Sequence, residues 1–185
     1  MESAPFSPGR ARMTSDSEPV KTGVVLTGMP GSGKSTVGRL LSEQTGLPFL
    51  DTDALIEAGE SKRLAEIIAE HSPEGFRAIE AAYIQSIQSA GSVISTGGSV
   101  CYSSQAMHHL AGLGTIVWLD VKPDILEQRF VDAFDRGVLI EPGSSLADLY
   151  DSRYPLYEQY AQLKIEASPL TAEEVVSLIR QQLAL

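Results

Sequence analysis

Between Val24 and Leu41 the chain carries a pattern that leaves few folds open. Val24-Val25-Leu26-Thr27 is a short, β-branched and apolar run. Gly28-Met29-Pro30-Gly31-Ser32-Gly33-Lys34-Ser35 follows it, and Thr36, Val37, Leu40 and Leu41 continue at helical spacing. The eight-residue stretch fits G-x-x-x-x-G-K-[ST], a phosphate-binding loop that is convincing only between a strand and a helix. Both flanks are present. Glycines let the backbone turn tightly and aim several N–H groups at one anion. The helix beginning near Lys34 adds the positive end of its dipole. Gly31, Ser32, Gly33, Lys34, Ser35 and Thr36 are therefore the expected nucleotide-binding set. Lys34 is expected to reach the outer phosphates, and the Ser35 hydroxyl to bind Mg²⁺. A ligand-free glycine turn is the competing reading; spacing, residue types and flanks together argue against it.

At 185 residues one domain is expected, with room for a real core. The net charge of −10 argues against a broad nucleic-acid surface, which would be basic. An anionic substrate must then be met by a local cluster of cations. Cys101 is the one cysteine, so no intramolecular disulfide forms and a reducing compartment, the cytoplasm, is expected. Cys101 reads as a small core or loop residue, since no base partner is evident. His71, His108 and His109 show no metal-ligand spacing. The chain has no Asn, which excludes N-glycosylation and a protein-kinase catalytic loop. It has no run of about 18 apolar residues to span a membrane. Residues 1–20 are rich in Ser, Pro and charge and carry no apolar signal region, so they read as a disordered extension.

Along residues 21–185 short strands alternate with helices. Strands are expected at Gly23–Thr27, Pro48–Leu50, Ser92–Ser95, Thr115–Leu119 and Leu163–Ile165. Helices are expected at Lys34–Thr45, closed by Gly46, at Ala54–Ala58, around Leu64–Ile68 and from Pro73. Phe76, Ile79, Tyr83, Ile87 and Ala90 fall on one face of the last of these. Further helices are expected at Ser104–Ala111, from Pro123 to about Ala133, and over Ser145–Tyr160, the last interrupted by Pro155. Thr171-x-x-Glu174 is a capping box opening the final helix. This alternation predicts an α/β fold with a parallel sheet.

Several residues are candidates for chemistry. Asp51 and Asp53 follow the second strand, and at spacing i, i+2 in extended chain their side chains share a face. They would lie at the C-terminal end of the sheet, where open α/β sheets bind ligands. One can support a Mg²⁺ shell, and the other can orient an attacking hydroxyl or take its proton. Capping of the next helix is the plain alternative. Arg77 and Glu80 stand about one helical turn apart, so Glu80 can hold Arg77 in place to grip a carboxylate; a solvated ion pair competes with this. Thr96-Gly97-Gly98-Ser99 lets a ligand lie against bare backbone, or is a tight turn. Arg136, in the polar and irregular stretch of about 135–145, suits a mobile lid over phosphates. Arg153 can be a second carboxylate clamp. Each arginine alone also reads as a solvated surface residue.

Together these features resemble the shikimate kinase family, a branch of P-loop proteins like the nucleoside monophosphate kinases. The resemblance rests on Gly-Met-Pro-Gly-Ser-Gly-Lys-Ser at 28–35, Asp-Thr-Asp at 51–53 and Phe-Arg-Ala-Ile-Glu at 76–80. Ser-Thr-Gly-Gly-Ser at 95–99 and Arg-Tyr-Pro-Leu-Tyr at 153–157 complete the ordered set. It implies a three-layer fold with a five-stranded parallel sheet in the order 2-3-1-4-5, helices on both faces, and a lid. It implies ATP as donor and Mg²⁺ as cofactor. Asp53 would contact substrate hydroxyls and serve as base. Arg77, Arg153 and the backbone at Gly97 and Gly98 would hold the shikimate carboxylate and ring. Lys34 and Arg136 would stabilise the transferring phosphoryl group, and Ser35, with Asp51 through water, would bind Mg²⁺. Two stretches depart from the family pattern. Ser99 stands where a third glycine is usual, and Arg136-Gly137-Val138-Leu139 stands where Arg-Pro-Leu-Leu is usual. Both departures lie in the acceptor and lid regions.

The expected function is therefore ATP-dependent phosphorylation of a small carboxylated alcohol, shikimate at its 3-hydroxyl, by a monomer acting on a small molecule without nucleic acid or membrane. A kinase of another hydroxylated acid, such as homoserine or gluconate, keeps the fold and changes the acceptor. A nucleotide-binding regulatory relative keeps the P-loop alone.

Overall fold

The computed structural model describes residues 23–134, 138 and 143–185. The expected extension over residues 1–20, Arg136, Gly137 and most of the expected lid lie outside the described residues.

Five strands form one sheet: β1 (Val24–Thr27), β2 (Phe49–Asp51), β3 (Val93–Ser95), β4 (Thr115–Asp120) and β5 (Leu163–Glu166). Their order is β2-β3-β1-β4-β5, and every pairing is parallel. This is the order the family resemblance implied. Parallel pairing forces crossovers, supplied here by α1 (Lys34–Thr45), α2 (Thr52–Glu60), α3 (Leu64–Glu70), α4 (Pro73–Ser86), α5 (Ser104–Leu113), α6 (Pro123–Phe134) and α7 (Leu146–Tyr160); α8 (Ala172–Leu183) follows β5.

Alternation along the strands builds two cores. Val24, Leu26 and Val117 pack with Val37 and Leu41 of α1 and Val176 and Ile179 of α8. Val25, Ile94 and Ile116 pack with Ile84 of α4 and Met107 and Leu110 of α5. Successive strand residues point to opposite faces, so a sheet covered on both sides needs apolar residues at consecutive positions. A third, small core of Ile56, Leu64, Ile67 and Phe76 joins α2, α3 and α4.

The register lines up the strand ends that matter. Leu26 pairs with Ser95 and Val117, and Asp51 pairs with Ser95. The loops after β1, β2 and β3 thus leave the same C-terminal edge side by side. That edge is where the P-loop, Asp51–Asp53 and Thr96–Ser99 meet.

Two expectations about elements are corrected. Pro155 does not interrupt its helix, which runs from Leu146 to Tyr160. The ring removes one N–H and frees the carbonyl of Asp151, but both residues are exposed, so water takes up the freed acceptor. The apolar face of α4 is also shifted. The helix ends at Ser86, and Ala90 is exposed beyond it; the buried line runs through Phe76, Glu80 and Ile84. A carboxylate occupies a core position.

Candidate active site

The nucleotide end is built on α1. Its N-cap, Gly33, takes φ 91°, and Gly28 and Gly31 take φ 143° and 79°. These are left-handed values that favour glycine. No side chain caps α1, so its first N–H groups remain for an anion. Lys34 is buried and donates from Nζ to the carbonyls of Gly28 and Met29, both at 2.8 Å. Burial lowers its pKa to about 8, against the opposing pull of Asp53 and Asp51. The amine lies on the loop itself, held by loop carbonyls. The Ser35 hydroxyl donates to Asp51 Oδ2 at 2.8 Å. A hydroxyl and a carboxylate side by side are hard oxygen donors of the kind Mg²⁺ takes, with its remaining ligands from phosphate and water. The pair fits that ion. Gly31, Gly33, Lys34, Ser35 and Thr36 line one cleft of about 570 Å³ together with Asp51 and Asp53.

A second, smaller space adjoins it. This recess is lined by Gly97, Gly98, Ser99, Glu80 and Arg153, and Asp53 and Pro30 belong to both spaces. Arg153 is 1% exposed. The guanidinium carbons of Arg77 and Arg153 lie 4.0 Å and 5.4 Å from the Tyr102 ring centroid, so one aromatic ring braces both cations. A Cβ on Gly97 would overlap Glu80 Oε1 and stand 2.8 Å from Asp53 Oδ1. A Cβ on Gly98 would stand 2.8 Å from an Arg153 guanidinium nitrogen. Backbone this close to three charged groups has no room for a side chain. The Gly97 N–H donates to Thr52 Oγ1 at 3.0 Å, which ties this turn to the start of α2. Tyr157 donates to the Gly98 carbonyl at 2.6 Å.

The structure brings Lys34, Ser35, Asp51, Asp53, Gly97, Gly98, Arg77 and Arg153 to one edge. It also changes what some of them do. Asp51 and Asp53 do not share a face of extended chain: Asp51 ends β2 and Asp53 lies in the first turn of α2. Asp51 Oδ1 accepts from the N–H groups of Asp53 and Ala54, so the capping reading holds alongside the ligand-facing one. One oxygen caps the helix and the other meets Ser35. Glu80 faces inward, and burial raises its pKa to about 7; the hydrogen bond from Ser99 and the charges of Arg153 and Arg77 work against that rise, and Asp53 adds to it. The Ser99 hydroxymethyl group, absent from the usual glycine, is turned to Glu80 at 2.6 Å. Cys101 is buried, and burial lifts its thiol to about 11, so it stays a thiol. Arg39, Arg63 and Arg129 also line the nucleotide cleft. Sequence reading does not single them out, because isolated arginines carry no motif. The roles of Tyr102 and Tyr157 were missed for a like reason: each acts on a segment distant in sequence.

Known proteins resemble this chain in sequence and fold. The family model described as shikimate kinase matches residues 30–184. A shikimate kinase of Symbiobacterium thermophilum is 36% identical over 165 residues, covering 86% of this chain and 95% of that protein. One of Trichormus variabilis is 38% identical over 163 residues, covering 84% and 87%. The solved shikimate kinase from Acinetobacter baumannii, in complex with shikimate, superposes with a TM-score of 0.79 at 29% identity, covering 88% of this chain and 92% of that one. A gluconokinase from Sinorhizobium meliloti, at TM-score 0.56 and 20% identity over 89% of this chain and 93% of that one, shares the fold alone. Fold, ordered motifs and relatives agree, and the chain belongs to the shikimate kinase family.

Proposed function

We propose that this protein transfers the γ-phosphoryl group of ATP to the 3-hydroxyl of shikimate. The observation that carries the reading is the place of Asp53, on the wall common to the nucleotide cleft and the small recess beside it. A carboxylate there reaches a hydroxyl on one side and a terminal phosphate on the other. In the step, the bond from the γ-phosphorus to the bridging oxygen breaks, and its electron pair leaves with ADP. The acceptor hydroxyl forms the new P–O bond, and its proton passes to Asp53. Lys34 leaves its loop carbonyls for the transferring group, where a buried cation acts strongly on developing charge. Arg136 takes the part of a second cation on that group, a role that rests on the family pattern. Arg77 and Arg153, braced by Tyr102, grip the shikimate carboxylate in fork geometry. Ser35, with Asp51 through water, would hold Mg²⁺, which would neutralise phosphate charge. The proposed setting is the cytoplasm, with the protein acting as a monomer on small molecules only; the single cysteine and the net charge of −10 support it.

Release of ADP, coupled to a spectroscopic readout, tests the reading with shikimate, homoserine and gluconate as acceptors. Shikimate-dependent release, with the 3-phosphate recovered as product, is the expected result. Turnover no faster with shikimate than with ATP alone would overturn it.

A further inference from the structure

Ser99 closes the turn after β3, and its side chain points toward α4. Its hydroxyl donates to Glu80 Oε2 at 2.6 Å, and both residues are buried. The other oxygen, Glu80 Oε1, is buried and has no hydrogen-bond partner among the described residues. It lies against Gly97, beside Asp53 Oδ1, in the recess that Gly98, Ser99 and Arg153 also line. An unpartnered buried acceptor is costly, and native structures rarely keep one without use. We propose that Ser99 is a positioning residue of the acceptor site: by engaging one oxygen of Glu80, its hydroxyl fixes the carboxyl so that the other oxygen is presented to a hydroxyl-bearing ligand in the recess.

This inference rests on the acceptor-site reading above and adds to it a residue outside the nucleotide and phosphoryl-transfer machinery. Without the Ser99 hydroxyl, the Glu80 carboxyl is free to turn about its last torsion, and its ionised form loses the Ser99 donor. The charged and titratable groups that face it are Asp53 from α2, Arg77 from α4, Arg153 from α7, and the Cys101 thiol just past Ser99. Loss of the hydroxyl therefore raises the Glu80 midpoint further, because burial and Asp53 are then opposed by the arginines alone.

The test uses the full chain with ¹³C-carboxyl-labelled glutamate, the Glu80 line being the one that disappears in Glu80→Gln. In Ser99→Ala the titration midpoint of that line moves to higher pH; in Ser99→Thr, which keeps a hydroxyl, it stays close to wild type. In the same proteins the KM for shikimate rises about tenfold in Ser99→Ala, the loss of one buried hydrogen bond to a charged group, and recovers in Ser99→Thr. The KM for ATP does not move. A Glu80 midpoint identical in wild type and Ser99→Ala overturns the inference, whatever the acceptor. A moved midpoint with an unchanged acceptor KM overturns the positioning role. Wild-type protein that ignores shikimate overturns the acceptor reading instead, and the KM arm is then run on the acceptor that the ADP-release screen identifies.

Discussion

Asp53 and Gly97 show how one residue can decide chemistry at this edge. The Asp53 carboxylate sits in the first turn of α2, its own N–H held by Asp51 at 3.1 Å, so its backbone is fixed before any ligand arrives. Replacing it with Asn keeps shape and removes the proton acceptor. Asp53→Asn is expected to lower kcat by about 10²–10⁴-fold, the usual worth of a positioned base, while ATP still binds. Steady-state kinetics with a fluorescent-nucleotide titration checks both halves; full activity would remove Asp53 from the mechanism. Gly97 acts by having no side chain. A Cβ there collides with Glu80 Oε1 and crowds Asp53 Oδ1; the Asp53 tip can swing into the open cleft, but the Glu80 carboxyl is buried and must shift against packed neighbours. Gly97→Ala is expected to raise the acceptor KM by at least about tenfold, with the KM for ATP near wild type, since the collision is on the acceptor side.

At the scale of elements, α7 sets the acceptor turn from across the molecule. Arg153 and Tyr157 lie one turn apart on its buried face, and both reach Gly98. The Tyr157 phenol is fully buried, and its 2.6 Å bond to the Gly98 carbonyl holds the turn against the recess. Tyr157→Phe keeps the ring's packing on Trp118 and removes that bond. It is expected to cost about 1 kcal/mol of stability and to raise the acceptor KM several-fold, measured by urea unfolding and initial rates. An unchanged KM would mean that α7 supports the turn through Arg153 alone. Much of this layer was legible beforehand. The P-loop motif ties a strand to a helix, so β1 and α1 fall within a residue of expectation, and the capping box at Thr171 opens α8 as read. What could not be read depends on distant partners. From sequence Glu80 reads as a holder of Arg77 or as half of a solvated ion pair, because sequence shows only its own helix; the structure buries it, with Ser99 from β3's loop bonded to it. Asp51 does end a strand, but Asp53 leaves the extended chain, because the Asp51 side chain caps the N–H groups of Asp53 and Ala54 and opens α2 there. Pro155 looked like a break because exposure, which makes its freed carbonyl cheap, is a tertiary fact.

Over the whole molecule, folding gathers opposite charges into one buried edge of a chain whose net charge is −10, and stability reflects that. Glu80 is raised from 4.5 to about 7 by burial, so the native state holds its proton longer than the unfolded chain does. Its favourable contribution is complete below pH 4.5 and is lost as pH rises through about 7. Lys34 is lowered from 10.5 to about 8 by burial, so the unfolded chain binds the extra proton between those values. Its contribution is complete above pH 10.5 and is lost as pH falls through about 8. Displacements of this size correspond to roughly 3 kcal/mol apiece. Both losses are in force between pH 7 and 8. The stability difference between variant and wild type isolates each group from every other titration. For Glu80→Gln, the variant gains on wild type as pH rises from 4.5 to 7, and the difference levels off above. For Lys34→Met, the variant gains as pH falls from 10.5 to 8 and levels off below, around a constant offset from the Gly28 and Met29 carbonyls that lose their donor. Both variants lose turnover. Urea unfolding at intervals across pH 4 to 11 measures these curves, and a difference flat in pH for either variant would mean that the charged side chain is solvated in the folded protein rather than held inside it.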